Sequence, residues 1–430
     1  MLATNQLKVV TVVQAATSDS DGHDSSDGSD SGSLSQDAPT TESWSSLESK
    51  EIMKPSLLTH IYGPIYARGA TIQRLPHPQE EFDAIVNAIG VPLVFKLHTL
   101  TQIARLIDCR HALLLRRPPG WGLDLFASMV SAAFDRDYNP PDDPFQILLE
   151  QESLTSRPWD RRLHGFFVLD LDFRRLPGKD DFQTELHAYL EKECRELISH
   201  YGLNKVIGLP SVKKGKPEEF ISLLAFAFKS VSRNPLLVII RSFDEPTIYY
   251  PDGHEVLNPF LNRLEYQLKD HVLGSLLLLS TWDDGSVYSC IGRPPLSLIR
   301  RRKPGLQPLD LPCTLDLTHT PAFQTAVGIT RAEADALDNA FSHREPRERT
   351  RMIHMLDGYS NPSIFADIFP QTHQCPPDSL EGGDCWEGEV NPLAELDRSQ
   401  EYEGTYAAQL VMKVFALKYG LPSEHGSLGF

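Results

Sequence analysis

The sequence predicts an α/β domain built on a mostly parallel sheet with helices on both faces. Three observations carry that expectation. First, 111–115 (HALLL), 166–173 (FFVLDLDF), 236–240 (LLVII) and 276–279 (LLLL) are nearly continuous apolar runs. Such runs mark strands buried on both faces. Second, stretches with apolar residues at helical spacing stand between them. Third, a Pro/Gly turn, 116–122, joins the first run to a helix.

The elements follow in order. Residues 92–105 lead into an amphipathic stretch that ends near Cys109. After the strand at 111–115 and its turn, 125–134 (LFASMVSAAF) has helical periodicity. The strand at 166–173 precedes a long helix over 181–201, with Phe182, Leu186, Leu190, Cys194, Leu197 and Ile198 on its apolar side. Further helices are expected over 220–230 and 260–271. Beyond about residue 320 the pattern becomes mostly helical. A helix over 330–341 has Thr330 as N-cap ahead of Glu333, the spacing of a capping box. Helices are also read over 345–356 and 406–419.

Composition bounds the rest. The formal net charge is −17, and it is uneven. Residues 1–51 hold nine acids against two bases, and residues 375–405 hold nine acids against Arg398 alone. The middle is therefore nearly neutral. Residues 17–50 are mostly Ser, Asp, Gly and Thr, too polar to offset the entropy of ordering. The expected division is a disordered acidic tail over 1–55, an α/β core over 56–290, a mostly helical extension over 291–372, and an acidic loop with a terminal helix over 373–430. A nearly neutral core argues against nucleic acid as a ligand. No apolar run reaches membrane-spanning length and no secretory leader is read, so the expected location is intracellular, cytoplasmic or nuclear. The six cysteines form no CxxC pair and suggest reduced thiols. The basic run Arg300, Arg301, Arg302 and Lys303 reads as a solvated loop.

A strand, a glycine turn and a helix start are the parts of a phosphate-binding loop. There, backbone N–H groups at a helix N-terminus cradle phosphate, a Lys reaches the β- and γ-phosphates, and a Ser or Thr hydroxyl holds Mg²⁺. Residues 111–130 supply that order of elements. Their sequence at Arg117, Pro118, Gly120, Trp121, Gly122, Leu123, Asp124 and Leu125 resembles the RPRRFGKSL segment of the AAA-ATPase-like proteins of fungi and bacteria. Arg117, Pro118, Gly122 and Leu125 match, and Trp121 replaces the aromatic. Leu123 stands at the Lys position and Asp124 at the Ser position. The family's acidic strand end, IDEYDAP, has its counterpart at 240–246. Ile240, Asp244 and Pro246 match, while Arg241 and Ser242 replace the first Asp and the Glu; Glu245 follows Asp244. Thr281 matches a Thr at the end of a later strand. Weaker likenesses at 316–337, 357–359 and 391–393 extend the resemblance to about residues 55–395.

The resemblance implies a three-layer P-loop NTPase-like domain with a C-terminal helical extension. It also implies a damaged site. Leu123 removes a cation from the triphosphate and Asp124 adds an anion. Two unit charges ~4 Å apart at an effective dielectric of ~20 interact by roughly 4 kcal/mol. The leading expectation is a pseudo-ATPase that binds protein partners and takes no cofactor. The alternatives are a weak ATP switch and a nucleic-acid-associated protein of mobile-element type. In the switch reading, Arg116, Arg117 or Arg241 would supply positive charge, Asp124 or Asp244 would hold Mg²⁺, and Asp244 and Glu245 would act in a shifted register. Asp170 and Asp172, alternating along a strand with no ExK behind them, read as structural polar residues.

Overall fold

The computed structural model of this 430-residue chain describes residues 9–12, 65–68, 73–76, 80–107, 109–117, 120, 122–140, 143–146, 162–207, 212, 216–281, 314–318, 320, 323, 325–340, 405–406, 411 and 419. A small sheet comes first: β1 (Val9–Val12) lies parallel to β2 (Ile65–Arg68), which pairs antiparallel with β3 (Leu93–Val94). Helix α1 (Phe82–Asn87) precedes β3, and α2 (Leu97–Leu106) follows it.

The central sheet holds β4 (Ala112–Arg117), β5 (Phe167–Asp172), β6 (Leu236–Arg241), β7 (Ser275–Thr281) and β8 (Thr314–Asp316). Their spatial order is β5-β6-β7-β4-β8, and every pairing is parallel. The apolar runs become strands because alternate side chains enter two separate cores. On one face Leu113, Leu115, Val168, Leu237, Ile239, Leu277 and Leu279 pack with α2 and with α3 (Leu123–Phe134). On the other face Leu114, Leu169, Leu171, Val238, Ile240, Leu276 and Leu278 meet α4 (Phe182–His200), α5 (Glu218–Val231) and α7 (Gly253–Lys269). The short α6 (Pro246–Tyr249) links β6 to α7. This is the expected three-layer sandwich.

The crossovers create a switch point. From β4 the chain passes through α3 to the far edge, β5, then returns stepwise through β6 and β7. β8 lies on the other side of β4. The chain thus leaves β4 toward one edge, while β8, the next sheet strand after β7, lies on β4's other side, and the carboxyl end of such a strand is where open α/β sheets place ligands.

Two helices begin on side-chain caps. The Asp181 side chain caps α4 by accepting from the Thr184 N–H at 2.9 Å. α8 (Arg331–Ala340) opens on the predicted capping box: the Glu333 N–H donates to Thr330 Oγ1 at 3.1 Å, and the Thr330 N–H donates to Glu333 Oε2 at 2.8 Å. α7 begins at Gly253, well before the expected Phe260, with Pro259 inside it.

Three differences from the sequence reading concern domain limits. β8 lies past residue 290, so the core does not end there; a short strand is enough to complete the sheet edge beside β4. Val9–Val12 forms a strand inside the segment read as a disordered tail, its backbone in parallel register with β2. Thr405–Tyr406 is a strand, β10, paired antiparallel with β9 (Ile329–Thr330), where a helix start was expected at 406. Residues 17–50, the helix read over 345–356, and Arg300–Lys303 lie outside the described residues, as does most of 406–419. Among the described residues, no helix is long and apolar enough to cross a membrane. Neither Cys109 nor Cys194 forms a disulfide, and burial pushes the Cys194 thiol up to about 12.

Candidate functional site

The crevice at the carboxyl ends of β4, β5, β6 and β7 gathers the residues singled out from sequence. β4 runs into a turn in which Gly120 and Gly122 have φ of 81° and 92°. Only glycine adopts such angles without strain, and Gly122 serves as the N-cap residue of α3. Pro118 and Trp121 lie outside the described residues. The turn is the strand-to-helix corner that the sequence predicted.

The side chains at this corner are turned to other uses. Leu123 is buried in the core beneath α3. Asp124, in the first helical turn, accepts two hydrogen bonds from Arg174, at 2.9 Å from Nη1 and 2.7 Å from Nη2. Arg174 lies in the 3-10 turn Phe173–Arg175 that follows β5. It also grips Asp172 through Nε at 2.9 Å and Nη2 at 2.8 Å, and its own N–H donates to Asp172 Oδ1 at 3.1 Å. Arg241, at the end of β6, is equally committed. Its Nε donates to Asp170 Oδ1 at 2.8 Å, Nη2 donates to Asp170 Oδ2, and Nη1 stands 3.7 Å from Glu81.

Arg117 is wholly buried. Its guanidinium donates to the carbonyls of Arg116 at 2.7 Å, Thr318 at 3.0 Å and Phe323 at 2.6 Å. It fastens the segment after β8 to the end of β4 and is not a surface cation for a phosphate. Arg116 is half-buried, and its backbone N–H donates to Thr318 Oγ1 at 3.1 Å.

The turn after β6 is tight. Ser242 is buried with φ of 51°, an unusual angle for a non-glycine residue. Asp244 accepts from Ser280 Oγ at 2.7 Å, and Glu245 is buried. Thr281, the last residue of β7, is exposed. Among the described residues, no three His, Cys, Asp or Glu side chains converge as a metal-binding group.

Electrostatics follow from these pairings. Burial alone would raise the Asp172 carboxyl, but the hydrogen bonds and charge of Arg174 outweigh it and hold the pKa below the usual carboxylate range. A depressed carboxylate stabilises the fold above its unfolded pKa, and that contribution is lost as pH falls through the lower folded value. The chain is therefore expected to lose stability below about pH 4. Asp172→Asn is expected to be less stable at neutral pH and to show a shallower acid limb in urea midpoints measured against pH. For Asp170 burial is the larger influence, and its carboxyl is raised despite Arg241.

A magnesium–triphosphate group needs a cation and a hydroxyl at the helix start and an unpaired carboxylate at the strand end. The residues here do not fit it. Leu123 faces the core, Asp124 is bound by Arg174, and Arg241 is bound by Asp170. Sequence reasoning missed Arg174 and Glu81 altogether. The one local signal for Arg174 is its place two residues after Asp172, where the acid caps its backbone N–H.

A parallel five-strand sheet between helical layers, with a glycine turn from strand to helix at the switch point, defines the class: an α/β domain of P-loop NTPase-like architecture. Residues 99–271 match the model of the AAA-ATPase-like family, described as Predicted AAA-ATPase, so this stretch carries an AAA-ATPase-like domain. The matched stretch contains 116–124 and 240–246 and stops short of Thr281. No curated protein matches the chain significantly.

Proposed function

We propose that this AAA-ATPase-like domain is a pseudo-ATPase, a binding or scaffold module for protein partners. One observation carries the reading. The charged groups at the phosphate and metal positions, Asp124 and Arg241, are spent on internal ion pairs, and four carboxylates (Glu81, Asp124, Asp170 and Asp172) face three guanidiniums (Arg174, Arg175 and Arg241). The local excess is negative. A polyphosphate entering this corner would meet repulsion and would have to compete with three bidentate pairs, each a strong charge-assisted contact. Hydrolysis depends on positioned cations, so it suffers with binding. The acidic flanks supply charged contacts for a partner.

The test is a thermal titration of the purified chain with ATP and Mg²⁺. The expected result is no nucleotide-linked shift at millimolar ATP. Stabilisation by more than ~2 kcal/mol would mean real binding, and would replace this reading with a nucleotide-gated switch.

A further inference from the structure

His164 stands just before β5, at the amino edge of the sheet, and its φ of 52° puts it in the left-handed region. Its ring is held on both sides. Nδ1 lies 3.0 Å from the carbonyl oxygen of Asp135, the residue after α3, and Nε2 lies 3.0 Å from Asp143 Oδ2. A carbonyl oxygen only accepts hydrogen bonds, and so does an ionised carboxylate. A neutral imidazole has one N–H and would leave its other nitrogen, lone pair outward, against an oxygen. An imidazolium donates at both nitrogens. We infer that His164 is a proton-operated clasp: with both ring nitrogens protonated it holds residues 143–146 to the turn after α3, and loss of one proton releases them.

What the clasp holds is part of the core. Asp143 is buried, and among the described residues His164 is its one ion-pair partner. Asp143 Oδ1 accepts from the Phe145 N–H at 2.9 Å, so the same carboxylate seats Phe145. That wholly buried ring packs on Phe82 of α1 and on Phe95, centroids 5.2 and 5.1 Å away. Without its second proton, His164 leaves a buried carboxylate lacking its countercharge and facing a lone pair. The other titratable groups here have other partners. Tyr138 stacks on the His164 ring, centroids 5.5 Å apart; its hydroxyl bonds Asp83, and burial raises it, so it stays neutral. The Asp135 carboxylate accepts from Tyr201 Oη at 2.9 Å and stands 3.8 Å from the exposed His200. Arg136 pairs with Asp137. The sign follows: the clasp is closed on the acid side, and its stabilisation is lost as pH rises through the range in which histidine gives up its charge. His164 lies at the opposite end of the sheet from the candidate site, so this inference is independent of the pseudo-ATPase reading.

Nuclear magnetic resonance on the full chain with ¹⁵N-labelled histidine tests the proton count. At about pH 7 both ring nitrogens of His164, assigned by its missing signal in His164→Asn, are expected to carry protons. Amide exchange at Phe145, corrected for the intrinsic rate, is expected to speed up about tenfold between about pH 6 and 8. Asp143→Asn is the decisive variant. Its amide oxygen can keep the Phe145 N–H, while its NH₂ takes the place of Oδ2 and donates to a neutral Nε2. This variant is expected to fold, to carry a ring proton on Nδ1 alone, and to show less than about a twofold change in Phe145 exchange over the same range. His200 is unchanged in it, so its titration cannot account for the difference. If Asp143→Asn does not fold, His164→Asn, which tolerates the left-handed backbone, is expected to be equally flat. Three results would overturn the inference: a His164 ring mostly singly protonated at about pH 7, Phe145 exchange in the parent that does not respond to pH, or a pH response undiminished in these variants.

Discussion

Lys96→Met is expected to lower folding stability by roughly 3–5 kcal/mol, measured as a fall in the urea midpoint. Lys96 lies just before α2, and its Nζ donates to both carboxylate oxygens of Glu333, at 2.9 and 2.7 Å. Both side chains are buried, Glu333 to 1% exposure. Taking two charges out of water costs several kcal/mol per ion, and the pair persists because each offsets the other's cost. Removing the Lys alone leaves a carboxylate in a low-dielectric site without its main countercharge. The same Glu333 closes the capping box of α8, so the fault spreads to that helix start. Lys96→Met/Glu333→Leu is expected to be more stable than Lys96→Met, because apolar volume then replaces both charges. A single-variant loss below about 1 kcal/mol would place the pair among weak surface bridges.

Arg117→Leu is expected to cost about 3 kcal/mol or more, since buried carbonyls that lose a partner each forfeit about 1–3 kcal/mol. The guanidinium serves the carbonyls of Arg116, Thr318 and Phe323, and the last two belong to the segment after β8. The loss is therefore expected to be local as well as global. Amide exchange should accelerate first at Leu317, whose N–H donates to the Leu114 carbonyl at 2.8 Å and holds β8's end to β4. Uniform acceleration across the sheet would show that Arg117 does not secure that segment. A residue read from sequence as a possible phosphate contact is thus expected to register in stability rather than in nucleotide affinity.

The layers of the fold were legible because each rests on local chemistry. β6 and β7 were readable as apolar runs since strands buried on both faces admit few polar residues. α8 was readable from Thr330 and Glu333, whose capping box spans three residues. The glycine turn before α3 was readable because Gly122 occupies a backbone region closed to other residues. β8 was harder to bound, for three residues carry little pattern, and it joins the sheet only because β4 offers a free edge.

The site was half legible. The sequence by itself determined which side chains stand at the turn into α3 and at the end of β6, and so which charges they carry: Leu123, Asp124, Arg241 and Ser242. Only the tertiary structure decided where those charges go. Asp124 and Arg174 are 50 residues apart, Asp170 and Arg241 are 71, and Lys96 and Glu333 are 237. Charge complementarity acts over a few ångströms of space, whatever the distance along the chain. No local pattern records it until the sheet order brings β4, β5 and β6 to one edge.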